Sequence, residues 1–191
     1  MLKKSLKNLK PRVKTLAWSF FEIGETLVIS LAAVLIVRAF IIQPFLVSGS
    51  SMEPNFYNGD YLLIDEVTYH LREPKRGEVI VFRYPGNPRS YYIKRILGLP
   101  GEEIVIDKGI IAIYKDKKRL AIKENYIMPT WTFGHFETQL KDDEYFVMGD
   151  NRNFSFDSRS WGPLKNKAVI GLVRFRLWPI TKAMAFSAPQ Y

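Results

Sequence analysis

Two patterns of hydrophobicity divide this chain. From Ile23 to Val47 apolar residues follow one another almost without a break. Thr26 to Val37 carries no charged side chain, and Ala39 to Ile42 extends the run beyond Arg38. A helix needs about 20 apolar residues to cross the hydrocarbon core of a bilayer. The run predicts a transmembrane anchor helix over residues 23–43, with Glu22 and Glu25 near one end and Arg38 able to snorkel at the other. Pro44 is expected to end it, because proline lacks an amide proton and restricts the residue before it. A cleavable leader is the competing reading, but the run is long and no small-x-small site follows it closely. A buried core helix is the other.

Beyond residue 47 the pattern changes to short alternating runs split by Gly, Pro, Asn and Asp. Strands are predicted over Asp60 to Asp65, Glu78 to Tyr84, Tyr91 to Leu97, Glu103 to Ile106, Ile110 to Tyr114, Glu144 to Met148 and Val169 to Leu177. Helical patterning is weak, apart from a short turn near Glu66 to Leu71. Strands spaced this closely predict a mainly β domain, a folded-over antiparallel sheet or partly open barrel, over residues 44–191. No repeat and no linker divides it. Ala168 to Pro179 is interrupted by Arg174 and Arg176 and is not a second span.

Charge gives the first pattern a direction. The formal net charge is +9, and Lys3, Lys4, Lys7, Lys10, Arg12 and Lys14 all precede the first acid, Glu22. Cations gathered directly before an apolar run follow the positive-inside rule. Residues 1–22 are therefore expected in the cytoplasm and residues after about 47 on the outer side of a plasma membrane crossed once. The basic excess points to a lipid bilayer as partner; no nucleic-acid motif accompanies it. The chain has no cysteine, which excludes disulfides, thiolate metal sites and a cysteine nucleophile.

The candidate chemistry begins immediately after the anchor. Val47-Ser-Gly-Ser-Ser-Met-Glu-Pro-Asn55 offers hydroxyls in a turn-forming context. A serine nucleophile needs a base, and the two histidines, His70 and His135, have no carboxylate partner in a familiar triad. Lysine is the alternative. Its pKa of about 10.4 keeps it protonated in water, and burial lowers that value. Lys94 is the best candidate, because Tyr92 and Ile96 share its strand face and can desolvate it, while Arg95 points to the opposite face, towards a carboxylate. The other lysines sit mostly in charged runs such as Lys115 to Lys118. A third stretch, Gly149-Asp-Asn-Arg152 running on to Ser155, Asp157, Ser158 and Arg159, supplies polar groups to hold such a pair.

In these segments the chain resembles bacterial type I signal peptidases, membrane-anchored serine proteases with a Ser/Lys dyad. The resemblance runs from the anchor to about Val173. It rests on Ser50-Ser-Met-Glu-Pro54, Gly59-Asp-Tyr-Leu-Leu-Ile64, Arg76-Gly-Glu-Val-Ile-Val-Phe82, Tyr92-Ile-Lys-Arg95 with Gly98-Leu-Pro-Gly101, and Gly149-Asp-Asn-Arg152 with Ser155, Asp157-Ser-Arg159 and Trp161-Gly162. The resemblance implies that Ser51 is the nucleophile, its backbone amide an oxyanion donor, and Lys94 the general base. It implies that Ser155 hydrogen-bonds and orients the lysine. Asp157 with Arg159 then forms a supporting polar pair, and Asp150 and Arg152 are further structural polar residues, Asp150 pairing with Arg95. Two positions depart from the family pattern: Gly49, where some members have a serine that helps bind the oxyanion, and Asn153, where an aspartate is common.

By the same resemblance the substrates are preproteins whose signal peptides end in small residues, as in Ala-x-Ala, cut without metal or organic cofactor. Ala183-Met-Ala185 of the chain itself matches that pattern by coincidence. Trp131, Phe133, Phe136, Phe154, Phe156 and Trp161 are candidates for an apolar rim dipping into the lipid interface. A related Ser/Lys protease with a specialised substrate is the nearest alternative. The anchor and the lack of a preceding DNA-binding region argue against a self-cleaving cytosolic repressor. A catalytically inactive, membrane-tethered binding protein is the alternative of another class, and the joint presence of Ser51 and Lys94 argues against it.

Overall fold

The computed structural model describes residues 18, 20–32, 42–120, 122, 124–127, 132 and 135–188. Packing divides the chain into two units, Met1–Ile41 and Ile42–Tyr191. In the first, residues 20–32 are helical. Among the described residues no helix is long and apolar enough to cross a membrane. The second half of the expected anchor, residues 33–41, lies outside the described residues.

The second unit opens with strand β1, Ile42–Leu46. Pro44, expected to end a helix, lies inside this strand. It is tolerated there because β1 is at the edge of its sheet, pairing among the described residues only with β2, Tyr61–Asp65, so a missing N–H breaks no second ladder there. Next come the one-turn helix α1, Thr68–Leu71, then β3, Val79–Tyr84, and the long β4, Asn87–Gly98. A small sheet is built from β5, Glu103–Asp107, β6, Ile110–Lys115, β7, Lys118–Leu120, and β8, Phe136–Gln139. The chain returns to the larger sheet with β9, Glu144–Met148, the short helix α2, Ser158–Trp161, β10, Leu164–Lys165, β11, Val169–Trp178, and β12, Met184–Ala185.

The larger sheet has the order β1-β2-β11-β3-β4-β9-β10, with β12 added to β11, and the smaller the order β7-β6-β5-β8. Every pairing between these strands is antiparallel. The two tight hairpins of the small sheet turn through residues with positive φ: Lys108 and Gly109 in one, Asp116 and Lys117 in the other. Two successive positive φ values give a turn whose twist matches that of the flanking strands.

The sequence of β3 explains its central position. Val79, Ile80, Val81 and Phe82 are all buried, so both faces of the strand are covered. Val79 and Val81 join Val47, Met52, Phe56, Leu62, Ile64 and Val173 in one apolar cluster. Ile80 and Phe82 join Ile96, Tyr145, Val147 and Leu164 in another. A third cluster, with Leu97, Ile104, Ile106, Ile113, Leu140, Phe146 and Met148, lies beneath the small sheet. The site grows from the first cluster.

Candidate active site

Ser51 stands at the start of a turn pinned by burial. After β1 the chain passes Gly49, at φ +95°, a conformation that L side chains rarely adopt. This backbone accounts for glycine at a position where a serine was the alternative. The Gly49 amide donates to Asn58 Oδ1 at 3.0 Å. The amides of Asn55 and Phe56 then donate to the Met52 carbonyl at 3.0 and 2.9 Å. Met52 and Phe56 are 1% and 0% exposed. Two core anchors thus fix a turn whose first residue carries the hydroxyl.

Lys94 approaches from β4, directly opposite Ile80 of β3. It is 4% exposed. Its Nζ donates to Ser51 Oγ at 2.7 Å and to the Ile93 carbonyl at 2.8 Å, and lies 5.6 Å from the centre of the Tyr92 ring. Burial lowers its pKa from 10.5 to about 8, against the opposing pull of Asp157 and Asp150. Once neutral, the amine has a lone pair that can accept the Ser51 proton.

Behind this pair lies a polar frame. Arg95, on the opposite face of β4 from Lys94, donates to Asp150 through Nε at 2.8 Å and Nη2 at 2.7 Å, and to the Gly77 carbonyl at 2.8 Å. Asp150 Oδ2 also accepts from Asn55 Nδ2 at 2.8 Å, which ties the frame to the Ser51 turn. Asp157, wholly buried, accepts from Arg159 Nε at 2.8 Å and from the Gly149 amide at 3.1 Å, and caps α2 through the Arg159 amide. Arg159 donates onward to the Arg152 carbonyl at 2.7 Å, and Arg152 holds the Gly149 carbonyl at 3.1 Å. Every charge in this frame has an opposite charge beside it, as burial requires.

The Ser155 hydroxyl differs from the expected arrangement. Its Oγ is buried and finds no hydrogen-bond partner among the described residues. The lysine amine donates instead to Ser51 Oγ and the Ile93 carbonyl. Ser155 packs on Gly149, where an added Cβ would meet its Oγ at 2.2 Å. Asn153, His70 and His135 are exposed, and none of them lines the cleft around Ser51.

Some residues that hold the site were not singled out from the sequence. Asn151 donates its amide to the Ser51 carbonyl at 3.1 Å and its Nδ2 to the Ser50 carbonyl at 3.1 Å. Asn55 bridges Asp150 and the Tyr126 carbonyl, Glu124 pairs with Arg152, and Arg95 stacks on the Tyr126 ring at 4.1 Å. Asn151 and Asn55 lie within or beside the segments that carry the resemblance, and that adjacency is a signal. Glu124 and Tyr126 carry no local signal.

Ser51 and Lys94 open into a cleft of about 440 Å³ lined by Phe45, Val47, Leu62, Val81, Tyr91 and Ile93. Of the expected aromatic rim, Phe154 and Phe156 are exposed at its edge, at 74% and 50%. Phe136 packs into the core beneath the small sheet and Trp161 against Phe82, so neither belongs to a rim. Trp131 and Phe133 lie outside the described residues. Among the described residues no group of three or more His, Asp or Glu is arranged to hold a metal ion.

Comparison with known proteins gives this geometry a context. The family model described as signal peptidase, peptidase S26, matches residues 20–178, most of the chain. The chain belongs to the signal peptidase family, peptidase S26. It is 35% identical over 169 residues to a probable signal peptidase I-2 of Synechocystis, covering 86% of this chain and 76% of that protein. It is 32% identical to signal peptidase I of Pseudomonas aeruginosa, covering 80% of this chain and 67% of that one. A signal peptidase I crystal structure from Enterococcus faecalis is 28% identical and aligns over 53% of this chain and 97% of its own, with a TM-score of 0.43. As a signal peptidase the chain is a serine endopeptidase that removes signal peptides.

Proposed function

We propose that this signal peptidase works by a Ser51–Lys94 dyad in which Lys94, neutral, takes the Ser51 proton as Oγ attacks the scissile carbonyl. The 2.7 Å approach of a buried amine to that hydroxyl carries this reading. The protonated lysine passes its proton to the leaving amine. Water activated by the same residue then releases the acyl-enzyme. The developing oxyanion is received by backbone amides, chiefly that of Ser51. Asp150, Arg95, Arg152, Asp157 and Arg159 act as the frame. Ser155 lies close to it but makes no hydrogen bond to the lysine in the resting enzyme.

The substrate segment binds extended beside β1, whose outer edge is unpaired among the described residues, and uses main-chain hydrogen bonds. Phe45, Val47, Leu62, Val81 and Ile93 leave room for small side chains before the cut, which favours Ala-x-Ala. Outward-facing Leu46, Tyr61 and Trp178 are in register across β1, β2 and β11 at 57%, 45% and 57% exposure. With Phe175, Leu177, Ile180 and Met184 they form an apolar surface suited to lipid. The basic residues before Glu22 and the apolar run after it argue for one membrane crossing, the amino terminus in the cytoplasm and catalysis on the outer side. In detergent, with a signal-bearing preprotein, Ser51→Ala and Lys94→Met are expected to abolish cleavage. Full activity in either variant overturns the dyad.

A further inference from the structure

Arg176 lies on β11 beyond the segments that carry the resemblance, yet its side chain reaches the turn that follows Ser51. It is 5% exposed. Its Nη2 donates to the Asn55 carbonyl, and its Nε lies 3.0 Å from Asp60 Oδ2. Its guanidinium carbon lies 5.6 Å from the centre of the Phe56 ring and 5.4 Å from that of Phe186, and those rings are 4.5 Å apart. Asp60 closes the far end of the turn: its Oδ2 accepts from the Tyr57 amide at 2.9 Å, and its carbonyl accepts from the Val47 amide at 2.9 Å. Phe186 is brought back over this turn by β12 and by its own amide, which donates to the Arg174 carbonyl at 2.8 Å.

The turn from Met52 to Asp60 belongs to no strand or helix, so its geometry is set by such tethers. Asn55 is held on one side by its side-chain bond to Asp150 and on the other, at its carbonyl, by Arg176. A guanidinium suits the second tether, being planar and always charged: it stacks on rings, donates from Nη2 to the Asn55 carbonyl and forms an ion pair with Asp60, although its Nε makes no hydrogen bond among the described residues. We propose that Arg176, backed by Phe186 from the C-terminal segment, is a positioning residue that fixes the Met52–Asp60 turn so that Ser51 Oγ stays on the Lys94 amine. It touches neither substrate nor the reacting atoms. The cleft that receives the substrate is lined by residues of β1, β2, β3 and β4, by the Val47–Ser51 loop and by Phe154 and Phe156, but by no residue of the Met52–Asp60 turn, so loosening that turn is expected to move the hydroxyl more than it weakens binding. This rests on Ser51 being the nucleophile.

The test uses full-length enzyme in detergent and a signal-bearing preprotein. Arg176→Met alone leaves Asp60 buried without its cation. The double variant Arg176→Met with Asp60→Asn avoids that cost and keeps an acceptor for the Tyr57 amide, and Phe186→Ala removes only the backing ring. In the double variant kcat is expected to fall roughly ten- to a hundredfold, and less in Phe186→Ala, with KM within about twofold and the melting temperature near that of the parent. Arg176→Lys, which keeps the charge but not the planar fork, recovers little. Unchanged kcat in a folded double variant overturns the proposal. So does a loss of activity that follows the melting temperature alone, or failure of all these variants to fold, since each assigns a purely structural role. Ser51→Ala runs alongside: cleavage by it sinks the dyad itself, whereas an inactive Ser51→Ala beside fully active Arg176 variants sinks only the positioning role.

Discussion

Lys94 is held where its charge is unwelcome, and the consequence can be measured in two ways. With its pKa lowered to about 8 by burial, only about a tenth of the amine is neutral at pH 7, one unit below, since each unit is a factor of ten. The acid limb of kcat/KM is therefore expected near pH 8. A limb below pH 6 would assign the base elsewhere. The second measurement is stability. Unfolded, this lysine titrates near 10.5; folded, near 8. Below pH 8 both states carry the proton and the fold bears the whole cost of burying it, about 3 kcal/mol. Between pH 8 and 10.5 the unfolded state binds more protons, so this group's contribution to stability improves as pH rises. Lys94→Met is expected to be more stable than the parent at pH 7 by up to about 3 kcal/mol, with the difference vanishing as pH approaches 10.5. Urea denaturation at several pH values checks the sign.

At the scale of elements, the segment Gly149–Arg159 works because one of its residues has no side chain. A Cβ at position 149 would lie 2.4 Å from the Ser51 carbonyl oxygen and 2.2 Å from Ser155 Oγ. Gly149→Ala is expected to cost about 1–3 kcal/mol of stability through overpacking and to lower cleavage by on the order of a hundredfold by displacing Ser51. Parallel melting and kinetic measurements separate the two effects. Elements such as β3 and β9 were legible in the sequence because both are dense apolar runs between turn residues, and β2 because its apolar run follows the Asn58-Gly59 turn. β1 was not, because Ile42–Leu46 continues an apolar run whose length favours a helix, and a proline on an edge strand looks the same as a proline ending a helix. The start of β4 at Asn87 carries no strand signal because Asn87-Pro-Arg89 is exposed and Ser90 only half-buried, and its pairing is dictated by the preceding turn. The approach of Lys94 to Ser51 and the Asp150–Arg95 pairing were readable, since strand alternation separates Lys94 from Arg95. Arg176 and Glu124 were not, because an arginine or a glutamate says nothing about a partner far along the chain.

Across the whole molecule, the exposed apolar surface of β1, β2 and β11 is the feature that ordinary solubility does not explain. The chain lacks cysteine, so Trp178→Cys introduces a single thiol for a spin label. In enzyme reconstituted into vesicles, that label is expected to be relaxed more by oxygen than by a polar reagent. A label at Lys117→Cys, in the β6–β7 turn, is expected to show the reverse, and equal polar access at both positions would remove lipid from the picture. The sheet order has a further consequence. Strand β11 lies between β2 and β3, so the hairpin bearing Ser51 and the strands bearing Lys94 meet only when β11 arrives. Asp65 and its partner Arg174 are 109 positions apart, so at 5–20 residues per second a ribosome needs roughly 5 to 20 seconds to bridge them. Throughout that interval Ser51 and Lys94 both exist in the nascent chain, and the proposed dyad is expected to assemble only once β11 has joined β2 to β3.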